Sequence, residues 1–232
     1  MWEFWTPTEV RPCAPELFAV EAGPFATLGY LLLDRPAGQA WVIDAPLGSA
    51  TAYEQLARQH GVRITHILLT HSHWDHIADV AELRRLTAAL VAVHPADAYR
   101  LRDDTELRLL GIPLPLEPVE PDLLLEHGQR LRSASGAWEL EVRFTPGHTQ
   151  GSVCFVEERR QIVFAGDTLF AGSIGRTDLP GGNFEQLLES LRTQLLPLPG
   201  EFRIYPGHGP PTTLQEELRS NPFVQAALGQ KQ

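Results

Sequence analysis

The chain has 232 residues, 43% hydrophobic and 21% charged, enough apolar material for a substantial core and an expected single domain over residues 1–232. Its formal charge of −10 arises from 29 acidic and 19 basic residues with one lysine, Lys231, the reverse of the balance a phosphate-backbone binder needs, so nucleic acid is excluded as an expected partner. The opening MWEFWTPTEV lacks a basic start followed by an apolar run, and no later segment approaches the ~20 apolar residues that cross a bilayer, so a cytoplasmic protein without a membrane partner is expected.

In chain order, the apolar runs ATLGYLLL and AWVIDA read as strands. SATAYEQLARQHG follows as a helix, with a serine-type start and a glycine stop. ITHILLT is the next strand, HIADVAELRRL a helix beginning near Ile77, and LVAVH a further strand. ADAYRLRDD begins as a helix, after which LLGIPLPLEPVEP loses periodicity to repeated prolines. This irregular stretch between Pro95 and Pro121 reads either as a cover for a binding cleft or as an ordinary surface excursion. LEVRFT, SVCFV and QIVFAGD are strands, NFEQLLESLRTQLLPL is a helix that stops at prolines, and FRIYPG closes the series. Strands in close succession allow hairpins, so a purely parallel sheet is not implied. Two mixed sheets packed face to face with helices outside, an α+β arrangement, fit this order. The two cysteines are too few for a disulfide framework or a thiolate metal site; Cys154 reads as buried, and Cys13 is left unassigned.

ITHILLTHSHWDHIADV places three histidines and an aspartate within six positions. Such density is poor core material, because every buried imidazole carries two nitrogens that need partners. Three other strand-like runs end in the same kind of residue: LEVRFTPG leads into His148, QIVFAG into Asp167 and FRIYPG into His208. Ends of neighbouring strands converge in space, so His71, His73, Asp75, His76, His148, Asp167 and His208 are expected to meet at one sheet edge as a metal site of imidazoles and carboxylates. His71 and His73, two apart in extended chain, project to one side and would take a first ion together with His148. Asp75 and His76 would take a second ion with His208, and Asp167, with two oxygens, would bridge both. Asp75 and Asp167 are the expected catalytic carboxylates. Isolated histidines usually serve packing, and that reading is assigned to His60, His66, His127 and His94.

At these residues the sequence resembles the metallo-β-lactamase-fold hydrolases, whose H-x-H-x-D-H signature is matched by His71 to His76. Their further positions are matched by PGHTQGS at His148, AGDTLF at Asp167 and PGHG at His208. The resemblance covers roughly residues 20 to 223 and implies an αββα sandwich with the metals along one edge of the two sheets. GDTLFAGSIGRTDLPGGN and YPGHGPPTTLQEELRSNPF look like the short bacterial form of glyoxalase II-type enzymes, the hydroxyacylglutathione hydrolases. The resemblance places Arg176 and Asp178 in a loop beside the metals, where a local ion pair is the favoured role, and Asp44 as an acid behind the ligands. DHIADV lacks the small Gly-Gly pair common after the signature, a departure expected to affect packing alone. Long glyoxalase II enzymes also carry a basic C-terminal helical domain, which the short tail after His208 does not match, leaving the thiol carrier open.

The implied cofactors are two divalent ions, zinc first, with iron or manganese as alternatives, and the implied partner is a small thioester; the oligomeric state stays open. Two ions would activate a shared water while polarising a carbonyl, and a thiolate, with a pKa near ~8.5, leaves without a strong general acid. The rivals are a persulfide dioxygenase with one iron on His71, His148 and Asp167, a lactonase, and a metal-stabilised binding protein. Seven ligands argue against the last, since a structural zinc needs four. A secreted β-lactamase is disfavoured for lack of a signal segment.

Overall fold

The computed structural model describes residues 8–109, 111 and 116–229, so the first seven residues, Lys231 and part of the proline-rich run lie outside the described residues. Strands β1 (Glu9–Ala14), β2 (Leu17–Ala22), β3 (Thr27–Asp34), β4 (Gln39–Ile43), β5 (Arg63–Leu68), β6 (Leu90–Val93) and β7 (Leu123–Leu124) form one sheet in sequence order. The pairings from β1 to β4 are antiparallel and those from β4 to β7 parallel. The second sheet runs β13 (Thr212–Thr213), β12 (Arg203–Pro206), β11 (Ile162–Gly166), β10 (Val153–Glu157), β9 (Glu139–Phe144), β8 (Arg130–Arg132). Only its β11–β12 pair is parallel.

The continuous apolar runs become intelligible once both faces of each sheet are seen to be covered. In β3 and β4, Leu31, Leu33, Ala40 and Val42 point outward and bury against α1 (Ala50–Gln59) and α3 (Val80–Thr87), which follows the short α2 (Trp74–Ile77). Alternating with them, Tyr30, Leu32, Trp41 and Ile43 point inward onto Leu140, Val142, Phe155 and Phe164 of the other sheet. Cys154, Val156, Val163 and Ala165 then face the far side, under α5 (Phe184–Ser190) and its π-helical extension Leu191–Leu195, and under α6 (Leu214–Ser220) and α7 (Pro222–Ala227). Three apolar layers between four structural ones make the expected αββα sandwich. A one-residue slip in β3 or β4 would exchange the two faces, so the register is held by both cores at once.

The hairpin β1–β2 and the two- and three-residue strands are additions to the expected elements. The helix expected from Ile77 instead starts at Trp74, pauses at Asp79 and resumes at Val80. ADAYRLRDD is a 3₁₀ turn over Pro95–Leu101, with α4 (Thr105–Leu109) after it. Of the proline-rich run, residues 116–121 pack on the helical layer: Val119 is buried in the outer core of the first sheet and Arg84 donates to Glu120 O at 2.7 Å. The described part is therefore a surface segment of that layer rather than a cover. Among the described residues, no helix is long and apolar enough to cross a membrane.

At one end of the sandwich the sheets are stitched together. Leu28 N donates to Gly207 O at 2.7 Å and Tyr30 Oη to Pro206 O at 2.6 Å, which fixes the end of β12 against the start of β3. The C-terminal ends of β4, β5, β6, β11 and β12 all open at this edge.

Candidate metal centre

Five of the seven expected residues reach this edge just after a strand, and the other two lie on the short helix that follows β5. His71 and His73 follow β5, His148 lies in the turn after β9, Asp167 follows β11 and His208 follows β12. Asp75 and His76 sit on α2, whose first turn starts one residue after His73. All seven converge. The ring nitrogens of His71, His73 and His148 gather, with His73 Nδ1 at 2.7 Å and His71 Nε2 at 3.2 Å from His148 Nε2. Asp75, His76 and His208 form a second group, His208 Nε2 lying 3.1 Å and His76 Nε2 3.6 Å from Asp75 Oδ2. Asp167 lies between the two groups. Its Oδ1 is 3.3 Å from His76 Nε2, and its Oδ2 is 3.5 Å from both His148 Nε2 and His208 Nε2.

Glycines make room for this approach. A Cβ on Gly207 would stand 2.3 Å from Asp167 Oδ1 and 2.5 Å from His76 Cε1, and one on Gly175 would meet Asp167 O at 2.0 Å. Only a residue without a side chain lets these strand ends close on one another.

The outward-facing nitrogens and the carboxylates are held by specific partners. His76 Nδ1 meets Asp44 Oδ2 at 2.9 Å. Asp44 also accepts from Thr70 N at 2.8 Å and Thr70 Oγ1 at 2.7 Å, and Thr70 Oγ1 in turn meets His71 Nδ1 at 3.1 Å. Asp44 has φ +56, an uncommon conformation for a side-chain-bearing residue, steadied by Tyr53 Oη donating to its carbonyl at 3.0 Å. His148 Nδ1 faces Arg176 O at 2.7 Å, His208 Nδ1 faces Phe25 O at 3.2 Å, and Thr27 Oγ1 donates to Asp75 Oδ2 at 2.9 Å. Such partners fix ring orientation and tautomer.

Charge is divided unevenly. Burial drives the imidazoles of His71, His73 and His148 below their ordinary value, and the crowding of like rings adds to this at His71 and His73. Burial also opposes a charge on His76, yet Asp75, Asp167 and Asp44 together raise it well above the usual range. His208 is raised likewise, against burial, by its hydrogen bond to Asp75 and by Asp167. Burial opposes ionisation of both carboxylates; the His76 charge and His208 nonetheless hold Asp75 far below its usual range, and His76 with His208 and His148 brings Asp167 down to about 2.

These residues fit a pair of divalent cations. His76 Nε2 and Asp167 Oδ1 are buried 3.3 Å apart without a well-formed hydrogen bond, an arrangement of nitrogen and oxygen donors that a shared cation would suit. The donors are imidazole nitrogens and carboxylate oxygens, suited to zinc, iron or manganese.

The remaining histidines stand apart. His60 meets Arg35 Nη2 at 2.9 Å, His66 packs edge-on to Trp41, His127 Nδ1 accepts from Phe144 N at 3.2 Å, and His94 stacks on Phe144 at 4.3 Å. Arg176 and Asp178 form an exposed bidentate pair at 2.7 and 2.8 Å, as expected, while the Arg176 carbonyl serves His148. Sequence reasoning missed Thr70, Thr27 and Asp97. Thr70 directly precedes His71 at a strand end, a position that could have drawn notice; Asp97 stands alone in PADAY with no motif around it.

Residues 22–208 match the metallo-beta-lactamase superfamily. A protein of Haemophilus influenzae named hydroxyacylglutathione hydrolase GloC is 34% identical over 187 residues, covering 80% of this chain and 87% of its own. The crystal structure of BLEG-1 B3 metallo-beta-lactamase aligns with a TM-score of 0.82 at 34% identity, over 90% of this chain and 99% of that one. That of TTHA1623 in a di-iron-bound form aligns at 0.78 and 38%, over 89% and 100%. That of ETHE1 from Myxococcus xanthus aligns at 0.72 and 29%, over 94% and 84%. With the motifs, the two-sheet sandwich and this breadth of likeness in agreement, the chain belongs to the metallo-beta-lactamase superfamily.

Proposed function

We propose that the protein is a dinuclear metal-dependent hydrolase that cleaves a small thioester of the hydroxyacylglutathione type. His71, His73 and His148 would hold one ion, Asp75, His76 and His208 the other, and Asp167 would bridge them. The observation that carries this reading is Asp167 itself, with one oxygen turned to His76 and the other between His148 and His208. When bound, two such ions lower the pKa of a shared water toward neutrality and polarise a carbonyl oxygen.

The chain's own residues set the conditions for that chemistry. Asp44, Thr70, Phe25 O and Arg176 O hold the rings in place before substrate arrives, so no reorientation is required in the transition state. Asp75 and Asp167 remain anionic, and Thr27 keeps Asp75 Oδ2 in position. His208 and Asp75 are the exposed side of the cluster, and Phe170, edge-on to His208 at 6.0 Å, with Phe25, 53% exposed, give that side an apolar rim for the acyl group. A thiolate, of pKa near ~8.5, departs from the tetrahedral adduct without a proton donor. The likeness to hydroxyacylglutathione hydrolase GloC supports the thioester class.

The likeness to ETHE1 favours a second reading, an oxidoreductase with one iron on His71, His148 and Asp167. It would leave His73 and the Asp75–His76–His208 group without a task. Both activities should be assayed on one preparation of known metal content. Lactoylglutathione cleavage exceeding oxygen uptake with a persulfide is the expected result. Oxygen uptake with sulfite formation, and no thioester cleavage by zinc- or iron-loaded protein, would replace the hydrolase reading with the second; a β-lactam and a lactone serve as competing substrates.

A further inference from the structure

We infer that Asp97 is a positioning residue for the three-imidazole half of the centre, acting as a buried brace between the loops that carry its histidines; this rests on the metal-dependent reading above. Asp97 follows β6 in the 3₁₀ turn and is fully buried. Its Oδ2 accepts from Ser72 N at 3.0 Å and from Thr149 Oγ1 at 2.8 Å. Its Oδ1 accepts from Gly151 N at 2.8 Å and from Arg100 Nη1 at 3.0 Å. Ser72 stands between His71 and His73 and returns a second bond, Oγ to Asp97 O at 3.0 Å; Thr149 directly follows His148. Through Arg100, whose Nη2 donates to Pro180 O at 2.6 Å, the same carboxylate reaches the loop whose Arg176 carbonyl orients His148.

One carboxylate thus ties three loops, and each of them carries or orients a histidine of one half. Asp44 is the acid in direct contact with the other half, holding His76, and it reaches His71 only through Thr70. The spacing of His73 Nδ1 and His148 Nε2 has no covalent origin, because the two residues lie far apart in sequence, so it depends on whatever fixes their loops together. Gly151 shows how closely the brace fits. A Cβ there would stand 2.6 Å from Asp97 Cβ and Cγ. An amide in place of the carboxylate would present an NH₂ to groups that are themselves donors and would remove the negative charge that the buried Arg100 guanidinium contacts at 3.0 Å.

The test is titration of metal-free protein with Zn²⁺ against a chromophoric chelator, for the wild type, Asp97→Asn, Thr149→Val and the between-sheets core variant Leu140→Ala. Two ions should bind the wild type. Asp97→Asn should weaken one of the two binding constants about 10- to 100-fold, as for other residues that orient ligands, and leave the second within about threefold. Thr149→Val should show the same one-sided loss on a smaller scale. Leu140→Ala should lower the Tm and leave both constants alone, which separates positioning from general loosening. In Co²⁺-loaded Asp97→Asn, the shifted ring N–H resonances of His71 and His148 should vanish before that of His208. Binding constants for Asp97→Asn equal to those of the wild type, or two constants falling together, would overturn the inference while leaving the dinuclear reading intact. A wild type that takes up no ion would overturn both. Should Asp97→Asn fail to fold, the outcome for Thr149→Val decides in the same way.

Discussion

The two halves of the centre, three imidazoles in one and two imidazoles with a carboxylate in the other, sit in opposite settings. His71, His73 and His148 are 1%, 4% and 2% exposed, sit among like rings and are pressed toward neutrality. In the other half, Asp75 and His208 side chains are 17% and 27% exposed, and the carboxylates pull protons onto His76 and His208. A neutral, closed set of nitrogens is ready to bind a cation without first losing a proton. An open set holding protons must release them, and solvent and substrate reach it more easily. On the proposed dinuclear reading, the first half is expected to retain its ion and the second to exchange it, and four experiments bear on this expectation.

Asp167→Ala removes the one group shared by both halves, and it should have the largest effect: loss of both ions and a fall in kcat/KM of more than about 10³-fold, or about 4 kcal/mol. Metal analysis alongside turnover checks this, and full metal content with normal turnover would show that the site lies elsewhere. Asp44→Asn weakens the hold on His76 directly and on His71 only through Thr70, so the ion of the open half should lose affinity about 10- to 100-fold and that of the closed half less, the reverse of the order for Asp97→Asn.

Acidification should separate the halves without mutation. His76 and His208 have raised pKa values in the metal-free protein, so protons compete for them already near neutrality, and metal affinity there falls as the pH drops through those values. His71, His73 and His148 are lowered, so competition begins only at more acidic pH. Stepwise dialysis from pH 8 to pH 5 should remove one ion before the other; simultaneous loss would dissolve the distinction. The smallest effect belongs to His127→Ala, which lies behind Phe144 rather than in either half. Metal content and rate should both stay unchanged, with a stability loss of no more than about 0.5 kcal/mol, because the hydrogen bond is exposed and water can replace the lost acceptor.

Most of the sandwich can be read from the chain because its inner strands are covered on both faces. Runs such as Leu31–Leu33 and Val153–Val156 therefore stay apolar without interruption. The β1–β2 hairpin escapes notice for the converse reason, since β1 is exposed along most of its length, with Glu9, Arg11 and Pro12. The start of α2 at Trp74 is hidden by its own function: Asp75 and His76 replace the apolar residues whose spacing would announce a helix. The seven residues of the centre were legible because each lies in a short motif that follows a strand, Asp75 and His76 on the helix directly after β5. Their supports were less so. Phe25 O and Arg176 O are main-chain atoms that any sequence supplies, and Asp97 acts through loops brought together only by the fold.

Gly207 changes how relatives of this chain ought to be screened for lost activity. Counting ligands identifies only proteins that have given up a histidine or an aspartate. With the space at 207 filled by Asp167 Oδ1 and the edge of His76, a single methyl group placed there would act as a plug, leaving all seven ligands in the sequence while denying them a common centre. A silent paralogue could thus carry an intact signature, and the informative column for recognising it is one that never touches a metal.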